Sequence, residues 1–233
     1  MNAYKKFGYY YDEVMAQMEY GLWSEFLEDY LKKDDKILDL ACGTGTLLSM
    51  LYVDGYENLY GLDLSETIIE IANEKRKVNR FQIDFSVQDM TSFKYDTKFN
   101  VISCFFDSIN FLPNLSQVKK MFDTVYRHLE KDGYFVFDIF SKTMLDEYNN
   151  NEIVDDYESF KLKWTTEKVN PAKLKHVISI TEDDEEIKEI YYEYYYELKD
   201  LLDKRFDIIK ISGDFNDELM DEDERILVVL KKK

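Results

Sequence analysis

The stretch ILDLACGTGTLLSML (37–51) sets one acidic residue, Asp39, inside an apolar run and puts two glycines, Gly43 and Gly45, in the turn that follows. A glycine turn between a strand and a helix presents backbone N–H groups to a ligand at close range. Its neighbours decide which ligand. A triphosphate loop needs G-x-x-x-x-G-K-[ST], with the lysine on the phosphates; here no lysine follows before Lys75. A dinucleotide loop needs the third glycine of G-x-G-x-x-G for close helix packing, and Leu48 stands in its place. Asp39 would repel a pyrophosphate but could receive an ammonium group, directly or through water. Asp63 lies 20 residues beyond Gly43, at the end of the next apolar run. Its carboxylate is placed to accept both hydroxyls of a ribose. The ligand so described has a ribose and a cationic amino-acid tail, and no phosphate.

These residues need a scaffold that places strand ends side by side. Short apolar runs at 36–40, 58–62, 81–87, 99–105 and 133–139 read as strands. Between them, periodic segments read as helices: one from Thr46, one capped by Ser65 and running to Val78, and an amphipathic one over 116–129. Strand and helix alternate five times over about 100 residues, which predicts an α/β domain with a parallel sheet. A further helix is expected over 13–31, where apolar residues fall at helical spacing. After a short helix near 143–148 the period changes to two. Runs near 160–164, 174–180 and 187–198 then predict three antiparallel strands, with 155–156 and 183–186 as acidic turns. The expected division is a main domain of residues 1–142 and 197–233, with 143–196 inserted as a small β subdomain. Runs at 206–211 and 225–230 add a closing strand pair to the main sheet.

The ligand inferred from the first loop is S-adenosylmethionine. Four segments support it together: ILDLACGTG (37–45), YGLDLS (60–65), VQDM (87–90) and NVISCFFDSINF (100–111). In order and spacing they resemble the successive motifs of class I S-adenosylmethionine-dependent methyltransferases. The N-terminal Tyr4, Phe7, Tyr11 and Asp12, followed by Trp23, are similar to a bacterial small-molecule subgroup with a β insertion after strand five. The resemblance implies a Rossmann-like seven-stranded sheet in order 3-2-1-4-5-7-6, with strand seven antiparallel. It also implies roles. Asp39, Ala41, Gly43 and Gly45 would line the methionine end, Ala41 replacing a common glycine. Asp63 would hold the ribose and Leu64 would pack on the adenine. Asp89 would bond the adenine amine, and Met90 would give a backbone donor. Cys104 and Phe105 would lie beneath the sulfonium, and Tyr11 would approach from an N-terminal lid. Asp107 is the candidate for orienting the acceptor or taking its proton.

Composition restricts the partners. With 45% hydrophobic and 16% aromatic residues, the 233-residue chain can bury a substantial core. A net charge of −18 opposes a nucleic-acid partner. The run after strand four also lacks the Asn/Asp-Pro-Pro-Tyr/Phe and Pro-Cys motifs of base methylation. Two cysteines far apart make no zinc signature, and two histidines cannot make a multi-histidine site, so no metal is expected. No run reaches the roughly 18 apolar residues of a membrane span, and no signal core opens the chain, so a cytoplasmic location is expected. The expected reaction is methyl transfer to nitrogen or oxygen of a small molecule, by a monomer or homodimer. The alternatives are a protein or nucleic-acid methyltransferase, or a non-catalytic regulator that binds S-adenosylmethionine.

Overall fold

The computed structural model describes residues 6–233; Tyr4 of the N-terminal aromatic motif lies outside them. Helices α1 (Tyr11–Val14) and α2 (Tyr20–Glu28) replace the single helix expected over 13–31. The chain turns between them, with Met18 N–H donating to Met15 O and Tyr20 N–H to Met18 O. Helical spacing persists across the break, so periodicity did not reveal it.

The predicted alternation follows in order. It runs β1 (Ile37–Leu40), α3 (Thr46–Val53), β2 (Leu59–Asp63), α4 (Glu66–Asn79), β3 (Ile83–Val87) and β4 (Phe99–Cys104). Next come α5 (Leu115–His128) and β5 (Leu129–Phe140), which begins four residues earlier than its apolar run. Ser65 Oγ accepts from Ile68 N–H at the start of α4, and the Asn114 side chain caps α5 in the same way. Both caps hold helix N-termini whose first-turn donors would otherwise be unpaired.

After α6 (Lys142–Glu147) the chain forms a separate antiparallel sheet. It has four strands, not three: β6 (Asn151–Asp156), β7 (Lys161–Asn170), β8 (Lys173–Glu182) and β9 (Glu185–Tyr194). β6 is an exposed edge strand without an apolar alternation, so it reads as an acidic turn. The helix α7 (Leu198–Leu201) leads back to β10 (Phe206–Gly213) and β11 (Arg225–Lys232). These complete a seven-stranded sheet, β3-β2-β1-β4-β5-β11-β10, with β11 antiparallel to β5. That is the expected methyltransferase order. β1 and β4 are almost wholly buried, because helices cover both faces of the sheet's centre. Among the described residues, no helix is long and apolar enough to cross a membrane.

Gly45 shows how closely the first loop is packed. Its φ is +78°, and a Cβ there would lie 2.4 Å from Phe85 Cζ. Gly45→Ala should therefore cost about 2 kcal/mol or more, from backbone strain plus overpacking. Gly55, at φ +93° with nothing within 4 Å, isolates the strain component. Urea unfolding of Gly45→Ala and Gly55→Ala side by side checks this, with the larger loss expected at position 45.

Candidate active site

The parallel strands end at one edge of the sheet, where the turns after β1, β2 and β4 surround a cavity of about 370 Å³. Such a volume lies within the range of small-molecule sites. Asp39 reaches it from β1, buried, with one carboxylate oxygen accepting from Ser103 Oγ at 2.7 Å. Burial pushes its pKa up to about 7, against the lowering effect of the Ser103 bond. Ala41 then takes φ +53° and Gly43 φ +55°, the left-handed conformations that bend the loop around the cavity. Glycine adopts this left-handed backbone most readily, and Ala41 holds it here at φ +53°.

Asp63 stands across the loop. Its Oδ2 accepts from Gly43 N–H at 3.3 Å and its Oδ1 from Ser65 N–H at 2.8 Å. Burial raises its pKa, and these backbone donors pull it back. Leu64 is half exposed on the cavity rim. Asp89 and Met90 line the same end, with Asp89 Oδ1 accepting from Thr91 N–H at 2.7 Å. Thr91 Oγ1, on this wall, is buried without a hydrogen-bond partner among the described residues. An orphaned buried hydroxyl calls for a ligand or water.

The opposite end is aromatic. Tyr11 packs over Gly43, and its phenol is hydrogen-bonded to that of Tyr20. Tyr20 lies 4.8 Å from the Phe106 ring, which stacks on Trp23 at 4.3 Å. Residues 7–14 form a strap over the cavity. Phe7 is buried against Phe160, Leu162 and Tyr191 of the inserted sheet. Asp12 accepts from Thr44 Oγ1 and pairs with Lys75 at 2.8 Å.

Three expected site residues fall off the wall. Cys104 is fully buried in the core behind Phe105, which does line the cavity. Gly45 shapes the loop from behind. Asp107 is turned away: Arg225 donates to both its oxygens, at 2.6 and 3.1 Å. Burial raises its carboxyl while Arg225 lowers it, and Asp107 with Asp138 holds the Arg225 guanidinium well above its ordinary value. Asp138, fully buried, accepts from Trp23 Nε1 at 2.6 Å, Phe106 N–H at 3.1 Å and Asp107 N–H at 2.8 Å. Phe106 and Asp107 are consecutive left-handed residues, at φ +57° and +56°. Such strain persists only where the surroundings enforce it. Sequence reasoning did not find Tyr20, Thr91, Phe106, Asp138 or Arg225 as site residues. Thr91 and Phe106 had a local signal, Thr91 as the next residue after Asp89 and Met90 and Phe106 as the residue between Phe105 and Asp107.

The residues present suit S-adenosylmethionine. Asp39, Asp63 and Asp89 line the cavity, and among the described residues no lysine, arginine or histidine does. That set repels phosphates, and it matches an ammonium group and a sugar diol.

Comparison with known proteins agrees. Residues 37–133 match the methyltransferase domain family. A protein of Geobacillus sp. (strain WCH70), carrying a provisional methyltransferase name, is 30% identical over 99% of this chain and 100% of its own length. A crystal structure of an S-adenosylmethionine-dependent methyltransferase from Clostridium acetobutylicum ATCC 824 superposes with a TM-score of 0.84. It is 28% identical, over 99% of both chains. The sugar N-methyltransferase KedS8 from Streptoalloteichus sp. ATCC 53650 shares the fold at a TM-score of 0.76 and 15% identity, over 97% of this chain and 93% of its own.

Proposed function

The chain belongs to the S-adenosylmethionine-dependent methyltransferases, and from that premise we propose that it methylates a nitrogen or oxygen atom of a small molecule. S-adenosylmethionine is its cofactor and supplies a methyl carbon already activated by positive sulfur. The chain's own residues have to hold the acceptor in line and exclude water. One observation carries the small-molecule reading: the strap, packed on the inserted sheet, brings Tyr11 onto a cavity of about 370 Å³, the size of a small-ligand site.

In this reading Asp39 receives the ammonium group and Asp63 the ribose hydroxyls. Ala41 and Gly43 give the methionine end its backbone cradle. Leu64 packs on the base, Asp89 bonds its amine and Met90 gives it a backbone donor. Phe105 closes the floor and Tyr11 faces the acceptor. We assign Asp107 to holding the strand-four turn through Arg225, not to proton transfer. Residues 143–196 serve as an acceptor-side subdomain. A structure with S-adenosylhomocysteine bound, followed by turnover with a metabolite panel, tests this. A vacant cavity in that structure, or turnover on a protein or nucleic acid alone, would replace it.

Asp39 makes a pH prediction. Its folded pKa of about 7 exceeds the unfolded value. Between about pH 4 and that value the folded chain holds the extra proton, so Asp39 makes stability fall as pH rises. Asp39→Asn should thus raise the melting temperature of the ligand-free protein at pH 8. The same variant should bind S-adenosylhomocysteine about tenfold more weakly there, having lost a charge-assisted bond. In the parent chain, affinity should climb from pH 5.5 to 7.5 as Asp39 ionises, and in the variant this dependence should flatten. Calorimetry at the two pH values checks both.

A further inference from the structure

The aromatic end of the cavity restricts the acceptor's charge. Its walls are Tyr11, Tyr20 and Phe106, beneath a strap that carries Asp12. The two nearest cations are already engaged. Lys75 bonds Asp12 at 2.8 Å and Thr44 and Thr46 at 3.1 Å. Arg225 lies between Asp107, at 2.6 Å, and Asp138, at 3.0 Å. Of the hydroxyls at this end, Tyr11 donates to Tyr20, and Ser108 Oγ donates to Phe105 O at 2.7 Å. A phosphate or carboxylate entering here would find no free cation among the lining residues. It would also meet the field of Asp39 and Asp63. Burying an unpaired anion is costly, whereas aromatic faces attract a cation.

We propose that the acceptor is a small amine bearing no phosphate or carboxylate group, received on the Tyr11–Tyr20–Phe106 wall. The proposal rests on the methyl-transfer reading above. The charge balance of the step fits this wall. The neutral amine, its proton already given to water, attacks with its nitrogen lone pair. The N–C bond forms, the C–S electron pair returns to sulfur, and the positive charge passes from the sulfonium to a methylammonium. A cation is present before and after, and an acidic aromatic wall suits both states. A hydroxyl acceptor would instead need a base beside it, and the carboxylates that line this cavity, Asp39, Asp63 and Asp89, are assigned above to the cofactor.

The test uses the full chain saturated with S-adenosylhomocysteine, whose binding is measured first; failure at that stage removes the methyltransferase reading itself. The loaded protein is then titrated with benzyltrimethylammonium, a stand-in for the methylated product, and with phenyl phosphate, a comparable anion. Fluorescence of Trp23, stacked on Phe106, is the readout. The expected result is cation binding at least tenfold tighter than anion binding. It should weaken with added salt, and it should fall at least fivefold in Phe106→Leu and in Tyr20→Leu while S-adenosylhomocysteine still binds. Three outcomes would overturn the proposal: equal or tighter binding of the phosphate, no binding of the cation, or cation binding indifferent to both variants.

Discussion

Asp63→Ala is expected to raise the dissociation constant of S-adenosylhomocysteine roughly a hundredfold, since hydrogen bonds to a charged group are worth about 1.5–3 kcal/mol each and the diol offers two. The side chain already accepts from Gly43 N–H and Ser65 N–H. An ionised carboxylate has about four lone-pair sites, so beside its backbone donors it can still accept from the sugar. Asp63→Asn keeps the shape but turns one acceptor into a donor, and an intermediate loss of about tenfold is expected. Because Asp63 also braces the loop, a thermal melt of each variant must accompany the calorimetry. Affinity unchanged in the alanine variant would mean that the ribose lies elsewhere.

The largest stability effect is expected at Asp138, on β5 and far from the glycine loop in sequence. Its carboxylate is fully buried and gathers Trp23 Nε1, Phe106 N–H, Asp107 N–H and Arg225. Asp138→Ala leaves those donors unpaired and leaves Arg225 with Asp107 as its remaining buried ion partner among the described residues. Breaking a buried ion pair by removing one member costs about 3–5 kcal/mol. Total stability of a domain is about 5–15 kcal/mol, so the variant should sit near the threshold of folding. For a chain of this size the melting temperature should fall by about 10 °C or more. Asp138→Asn, which retains an acceptor, should fall between. A drop under about 1 kcal/mol in the alanine variant would show that the left-handed pair at Phe106 and Asp107 holds itself. Because Phe106 forms the aromatic wall, Asp138 links the stability of the fold to the shape of the acceptor end.

Local chain geometry was legible in the sequence. Asp39, Ala41, Gly43 and Asp63 lie within two strand–turn–helix units, where neighbouring residues fix direction and the strand ends are parallel neighbours. The strand order came from the resemblance to class I methyltransferases; the alternation by itself gives parallel strands and the hand of their crossovers. The acidic edge strand β6 and the turn after Met15 were not legible. Neither changes the hydrophobic period, and β6 is held only by its pairing with β7.

Residue types and local spacing therefore determined the fold class, the cofactor loop and the exclusion of phosphate from it. Tertiary structure alone decided the far side of the cavity. Trp23, Asp138 and Arg225 meet across more than a hundred residues, and Asp107 points to Arg225 because that guanidinium lies behind it. On β9 the inward face is that of Glu189, Tyr191 and Glu193, while Ile190 is 52% exposed. Glu189 there accepts from Lys6 N–H and Glu193 pairs with His176. In a strand, one residue of register exchanges the two faces, and the partner that selects between them comes from distant chain.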